Sequence, residues 1–133
     1  MRHRTPVMHA LSRFIARLAC PKGTRRRIVV DYDGGQIVAD TETAIGWSLL
    51  FRGCHEPEVA RLIGRLVPAG ATCLDVGANI GAHALVMARA AGTEGRVIAF
   101  EPHPELCEQL RENVALNAGA RVEVVCAAVA DHD

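Results

Sequence analysis

An apolar run, a glycine-broken turn and an alanine-rich helical stretch stand in direct succession at residues 71–89. They read Ala71-Thr72-Cys73-Leu74, then Asp75-Val76-Gly77-Ala78-Asn79-Ile80-Gly81, then Ala82-His83-Ala84-Leu85-Val86-Met87-Ala88-Arg89. A strand, a tight turn and a helix N-terminus in that order make a cradle for a nucleotide-like ligand, because the first N–H groups of the helix face the turn. A second apolar run, Arg96-Val97-Ile98-Ala99-Phe100, ends on Glu101-Pro102, which puts a carboxylate 26 residues beyond Asp75. In open α/β sheets a carboxylate at the tip of the second strand is placed to accept hydrogen bonds from ribose hydroxyls.

The glycine spacing narrows the ligand. A dinucleotide turn needs G-x-G-x-x-G so that backbone can approach a pyrophosphate. Here the spacing is D-x-G-x-x-x-G, with Asp75 where a first glycine would sit. A fixed carboxylate repels a pyrophosphate at close range and attracts an ammonium or a sulfonium. S-adenosyl-L-methionine carries both cations and a ribose for Glu101. On the same spacing a nicotinamide-dependent oxidoreductase is disfavoured, while a glycine-rich β–α connection in some other α/β protein stays open.

The runs Arg52-Gly53-Cys54-His55-Glu56-Pro57-Glu58, Leu74 to Gly81, Gly95 to Pro104 and Leu110 to Asn117 together resemble the FkbM family of S-adenosylmethionine-dependent methyltransferases. The resemblance covers roughly residues 50–130 and rests on D-V-G-A-N-I-G paired with F-E-P. It implies a Rossmann-like methyltransferase sheet and methyl transfer to oxygen on a sugar or natural product. It also implies that Asp75, Gly77, Ala78, Asn79 and Gly81 line the methionine and sugar end, and that Glu101, followed by Pro102, holds the ribose. Two positions depart from the pattern: His55 stands where an aromatic usually precedes Glu-Pro, and His83 where Tyr or Phe is common.

Fifty per cent hydrophobic residues and a mean hydropathy of +0.14 suit a folded body. The net charge of zero conceals an asymmetry. Eight Lys or Arg and no acidic residue precede Ile28, and the remaining seven basic residues face fifteen acidic ones. Residues 1–27 therefore read as a basic arm and residues 28–133 as a partial cofactor-binding domain. In the arm, Thr5-Pro6 opens a helix whose Val7, Leu11, Phe14, Ile15 and Leu18 share a face, a pattern that suits either peripheral membrane contact or packing on the body. No nucleic-acid partner is expected. The five cysteines are scattered without a C-x-x-C pair, so neither metal ligation nor a disulfide framework is expected, and the reading is a reducing cytoplasm. No apolar run approaches the ~18 residues that span a bilayer.

Along the rest of the chain, Arg27–Val30 and Gln36–Ala39 flank Asp31-Tyr32-Asp33-Gly34-Gly35 as a hairpin. Residues 44–51 show no clear period. Val59, Leu62, Ile63 and Leu66 mark one helical face, and Leu106, Leu110 and Val114 another. Arg121 to Cys126 gives a third strand. The fold expected is thus α/β, a methyltransferase-type sheet truncated after its third strand, preceded by the arm helix and the hairpin. Without a fourth strand the first becomes an edge with no lysine or proline to guard it, so self-association through that strand is expected. Adenine contacts are expected from backbone near Cys126, Ala127 and Ala128. His55, Glu56 and His83 are the candidates for acceptor chemistry beside the turn; Glu56 is also expected among the cofactor-binding residues and is equally suited to cap a helix at Pro57, and His83 to a plain helix-face role. A non-catalytic cofactor-binding module is the competing function.

Overall fold

Asp33 and Gly34 have φ of 45° and 81° and close a two-residue loop between β1 (Arg27–Tyr32) and β2 (Gly35–Asp40). Asp-Gly suits such a loop because both central residues must take positive φ to match the twist of the strands. The computed structural model describes residues 25–131; the arm helix expected within residues 1–24 lies outside the described residues. β1 runs two residues and β2 one residue further into the turn than their apolar pattern marks, and Tyr32 is buried by that extension.

Residues 44–52, which show no period, form α1 (Ala44–Arg52). Its ends carry the signal that its middle lacks. The Thr43 hydroxyl accepts from the Gly46 N–H at 2.9 Å, and Gly53 closes the helix in a left-handed conformation. Helix α2 (Pro57–Leu66) follows the expected stripe, but only Ala60 and Ile63 pack against the core. Val59, Leu62 and Leu66 stay 39%, 54% and 69% exposed.

The main sheet holds β3 (Thr72–Val76), β4 (Arg96–Phe100) and β5 (Val122–Val125), all parallel, in the order β3-β4-β5. Helices α3 (Ala82–Ala91) and α4 (Pro104–Ala115) pack on one face, where Ala84, Ala88 and Leu110 meet Cys73, Val97, Ala99, Val122 and Val124. Helix α3 is buried on two sides, since its Ala82, Leu85 and Val86 pack instead against Tyr32, Ile37 and Ala39 of the hairpin. Small residues on α3 let hairpin, helix and sheet approach closely. Side chains alternate along a strand, so the opposite face of the sheet carries Leu74 and Val76, 60% and 61% exposed. Among the described residues β3 and β5 are the outer strands of this sheet.

Polar side chains tie the hairpin to the rest. Three amide side chains on α4 and just beyond it, Gln109, Asn113 and Asn117, face the free edge of β2. Asn117 accepts from the Gln36 N–H at 2.9 Å and donates to its carbonyl at 2.7 Å. Asn113 Oδ1 accepts from the Val38 N–H at 2.8 Å, and Gln109 donates to the Val38 carbonyl at 3.2 Å. These amides satisfy backbone groups that would otherwise stand unpaired beside a helix.

The expectation of no disulfide does not hold. Cys107 and Cys126 are bridged, with Cα atoms 5.7 Å apart. Spacing could not reveal the pair, because the β4–α4–β5 crossover brings the end of β5 back beside the first turns of α4. The bridge also removes the support that scattered cysteines gave to a reducing compartment. A loop of 19 residues closed this way restricts the unfolded chain by about 2–3 kcal/mol. Urea unfolding with and without reductant should differ by that amount; coincident curves would mean that the bridge carries no stability.

Candidate functional site

The turn after β3 is fastened to the tip of β4. The N–H groups of Gly77 and Ala78 both donate to the Phe100 carbonyl, each at 2.9 Å. Gly77, Asn79 and Gly81 take positive φ of 81°, 51° and 88°, which reverses the chain into α3. Gly81 is demanded twice over, since an added Cβ there would stand 2.5 Å from Leu110 Cδ1. An added Cβ at Gly77 would meet nothing within 4 Å, so the turn is open at that point to an incoming ligand.

Glu101 is 6% exposed, and both its oxygens are engaged. Oε2 accepts from the Asn79 N–H at 2.8 Å and Oε1 from the His103 N–H at 2.9 Å. It therefore clamps the turn to the end of β4, a role that its position in the sequence did not reveal. A carboxylate offers about four acceptor sites, so two remain for a ligand. Pro102 and Ala127 are exposed at the carboxyl ends of β4 and β5, on the rim.

Asp75 is the penultimate residue of β3 and is buried, with Oδ2 left without a hydrogen-bond partner. Burial pushes its carboxyl above the ordinary value, while the field of His83 and a backbone hydrogen bond from Ala84 pull it back. A carboxyl whose folded-state pKa is raised favours folding while protonated, and that contribution is lost as pH rises through the raised value. Asp75→Asn should therefore stabilise the ligand-free protein at pH 7. The gain should vanish below the ordinary aspartate value of 3.8. Thermal melts of both proteins across pH check this; a less stable asparagine variant at pH 7 would contradict it.

His55, Glu56 and His83 meet beside this turn. Glu56 Oε2 lies 3.4 Å from His83 Nε2 and 4.0 Å from His55 Nε2, and the imidazoles lie 5.6 Å apart at 29°. The 3.4 Å contact lacks hydrogen-bond geometry, so His83 Nε2 is buried without a partner. Burial pushes the His55 imidazole below its ordinary value, favouring the neutral ring. Glu56 does not cap α2 with its side chain, contrary to that reading of the sequence. It holds φ 44° and ψ 64° ahead of Pro57, a left-handed conformation that sets its carboxylate among the imidazoles.

Asp75, Gly77, Ala78, Asn79, His55 and His83 share a cleft of 210 Å³. Ile45 from α1 also lines it, a residue the sequence did not mark because that helix was not legible. Larger clefts exist. One of 480 Å³ lies between the hairpin loop and residues 116–120, and one of 610 Å³ is formed by Arg25, Arg27 and acidic residues of α4. Neither includes the turn after β3 or a tip of a parallel strand, where open α/β sheets bind ligands, so the smaller cleft is the better candidate. Among the described residues no helix is long and apolar enough to cross a membrane.

Residues 75–133 match the family described as Methyltransferase FkbM domain. The chain is 35% identical over 71 residues to an arsenite methyltransferase of Halobacterium salinarum, a match that covers 53% of this chain and 17% of that protein. It is similar in structure to aTrm5 solved with tRNALeu (TM-score 0.62, 19% identity, 83% of this chain and 30% of the other). It is also similar to M. jannaschii TYW2 solved in complex with AdoMet (TM-score 0.61, 17% identity, 80% and 46%). These likenesses show the Rossmann-like methyltransferase fold, and the chain spans less than half the length of each protein.

Proposed function

We propose that this chain, which the FkbM methyltransferase domain matches over residues 75–133, binds S-adenosyl-L-methionine at the tips of β3 and β4 and serves its methyl transfer to oxygen. The observation that carries the reading is the buried, unpartnered Asp75 oxygen at the mouth of the glycine turn. A carboxylate held out of water without a partner invites a cation, and the nucleoside brings an ammonium and a sulfonium. In this reading Asp75, Gly77, Ala78, Asn79 and Gly81 surround the methionine end. Glu101 takes the ribose with its two spare lone-pair sites, and Pro102 and Ala127 border the adenine. Glu56 flanks the methionine end from the α1–α2 loop.

The cofactor supplies an electrophilic methyl group, and the protein's work is then to align an acceptor oxygen with it and to take up the acceptor's proton. The acceptor we favour is a hydroxyl of a sugar or natural product, with no nucleic acid involved.

Calorimetric titration with S-adenosylhomocysteine tests the reading. One saturable site per chain and no comparable uptake of NADH is expected; absent binding, or tighter NADH, would overturn it. The alternative is a module that binds the cofactor without turnover. A labelled-methyl assay on the saturated protein separates the two.

A further inference from the structure

We propose that His55, Glu56 and His83 bind one divalent transition-metal ion of the zinc and cobalt class. One ligand atom from each residue lies within 4.8 Å of the other two. Donor atoms on a tetrahedral zinc-class ion stand roughly 3.3–3.5 Å apart. The His83–Glu56 separation of 3.4 Å already fits, and the His55–Glu56 separation of 4.0 Å needs only a small side-chain rotation. Two imidazole nitrogens and a carboxylate oxygen form a borderline donor set, which prefers such ions to magnesium or calcium.

Three further observations point to a cation here. His83 Nε2 is buried and has no hydrogen-bond partner although a carboxylate oxygen lies beside it. A metal ion between the two atoms would satisfy both, where the alternative is a proton on the imidazole. Asp75 is 9% exposed, lines the same cleft and leaves Oδ2 unpartnered, so a second carboxylate stands within the field of the cluster. Glu56, half exposed, opens the site towards solvent and leaves coordination positions for water or an acceptor oxygen.

Sequence spacing hides the set. His55 and Glu56 come from the α1–α2 loop and His83 from the first turn of α3. The site shares Glu56 and Asp75 with the proposed cofactor cleft, and metal uptake measured with no nucleoside present keeps the two tests distinguishable.

Cobalt(II) added to the full chain, followed by visible absorption and then by zinc displacement, tests it. One ion per chain with a nitrogen and oxygen ligand spectrum, displaced by zinc, is expected. His83→Ala and Glu56→Gln should each weaken uptake by about tenfold or more, and Cys54→Ser should leave it unchanged. Glu56→Gln keeps the shape of an exposed side chain, so its result does not depend on refolding of the helix terminus. No spectrum in the wild-type chain would mean that a proton joins Glu56 to His83 and would overturn the proposal. So would a spectrum that survives replacement of both histidines, or one lost with Cys54.

Discussion

Asn113→Ala should destabilise the protein by about 3–5 kcal/mol, because one side chain satisfies two buried backbone groups in different layers. Asn113 is fully buried. Its Oδ1 accepts from the Val38 N–H of the hairpin at 2.8 Å, and its Nδ2 donates to the Ile80 carbonyl of the glycine turn at 2.7 Å. Alanine leaves both groups dry and unpaired and opens a cavity between them. Asn117→Ala is the contrast, since its bonds to Gln36 are exposed and water can replace them; a loss below about 1 kcal/mol is expected there. Urea denaturation of both variants reads the difference. A small loss at Asn113 would mean that the hairpin is not held to the turn through α4.

Glu101→Ala should lose both stability and ligand. The Asn79 and His103 N–H groups would lose a shared carboxylate, at about 1.5–3 kcal/mol for each charge-assisted bond. The turn would loosen, and affinity for S-adenosylhomocysteine should fall by about tenfold to a hundredfold or more. Glu101→Gln separates the two roles. Its single acceptor oxygen keeps one of the two clamps, so it should retain about half of the stability while binding still weakens. Calorimetry and denaturation on the same preparations give both numbers. Lost stability with unchanged affinity would assign Glu101 to fastening the turn alone and place the ribose elsewhere.

Local chemistry was legible in the sequence, and cross-chain chemistry was not. Asp33-Gly34 requires positive φ, and the turn from Asp75 to Gly81 requires glycine at fixed points, so hairpin and cradle could be read directly. The order of the three parallel strands, β3-β4-β5, also followed from the order of the β units. Helix α1 escaped because its signals, Thr43 and Gly53, sit at its ends while its body has little periodicity. The amides of Gln109, Asn113 and Asn117 looked like the polar side of a helix, and only folding shows β2 against them. The bridge from Cys107 to Cys126 escaped for the same reason. At the site the sequence marked His55, Glu56, Asp75 and His83 one by one. Their meeting depends on how the α1–α2 loop crosses the N-terminus of α3, which no spacing encodes.

Amide chemical-shift mapping with S-adenosylhomocysteine tests the assignment of the cleft most directly. Shifts concentrated on residues 75–83 and 101–103, weakened in Asp75→Asn, are the expected result. Shifts confined to the 480 Å³ cleft around Gly34, Arg89 and Asn117, or none at saturating nucleoside, would contradict it.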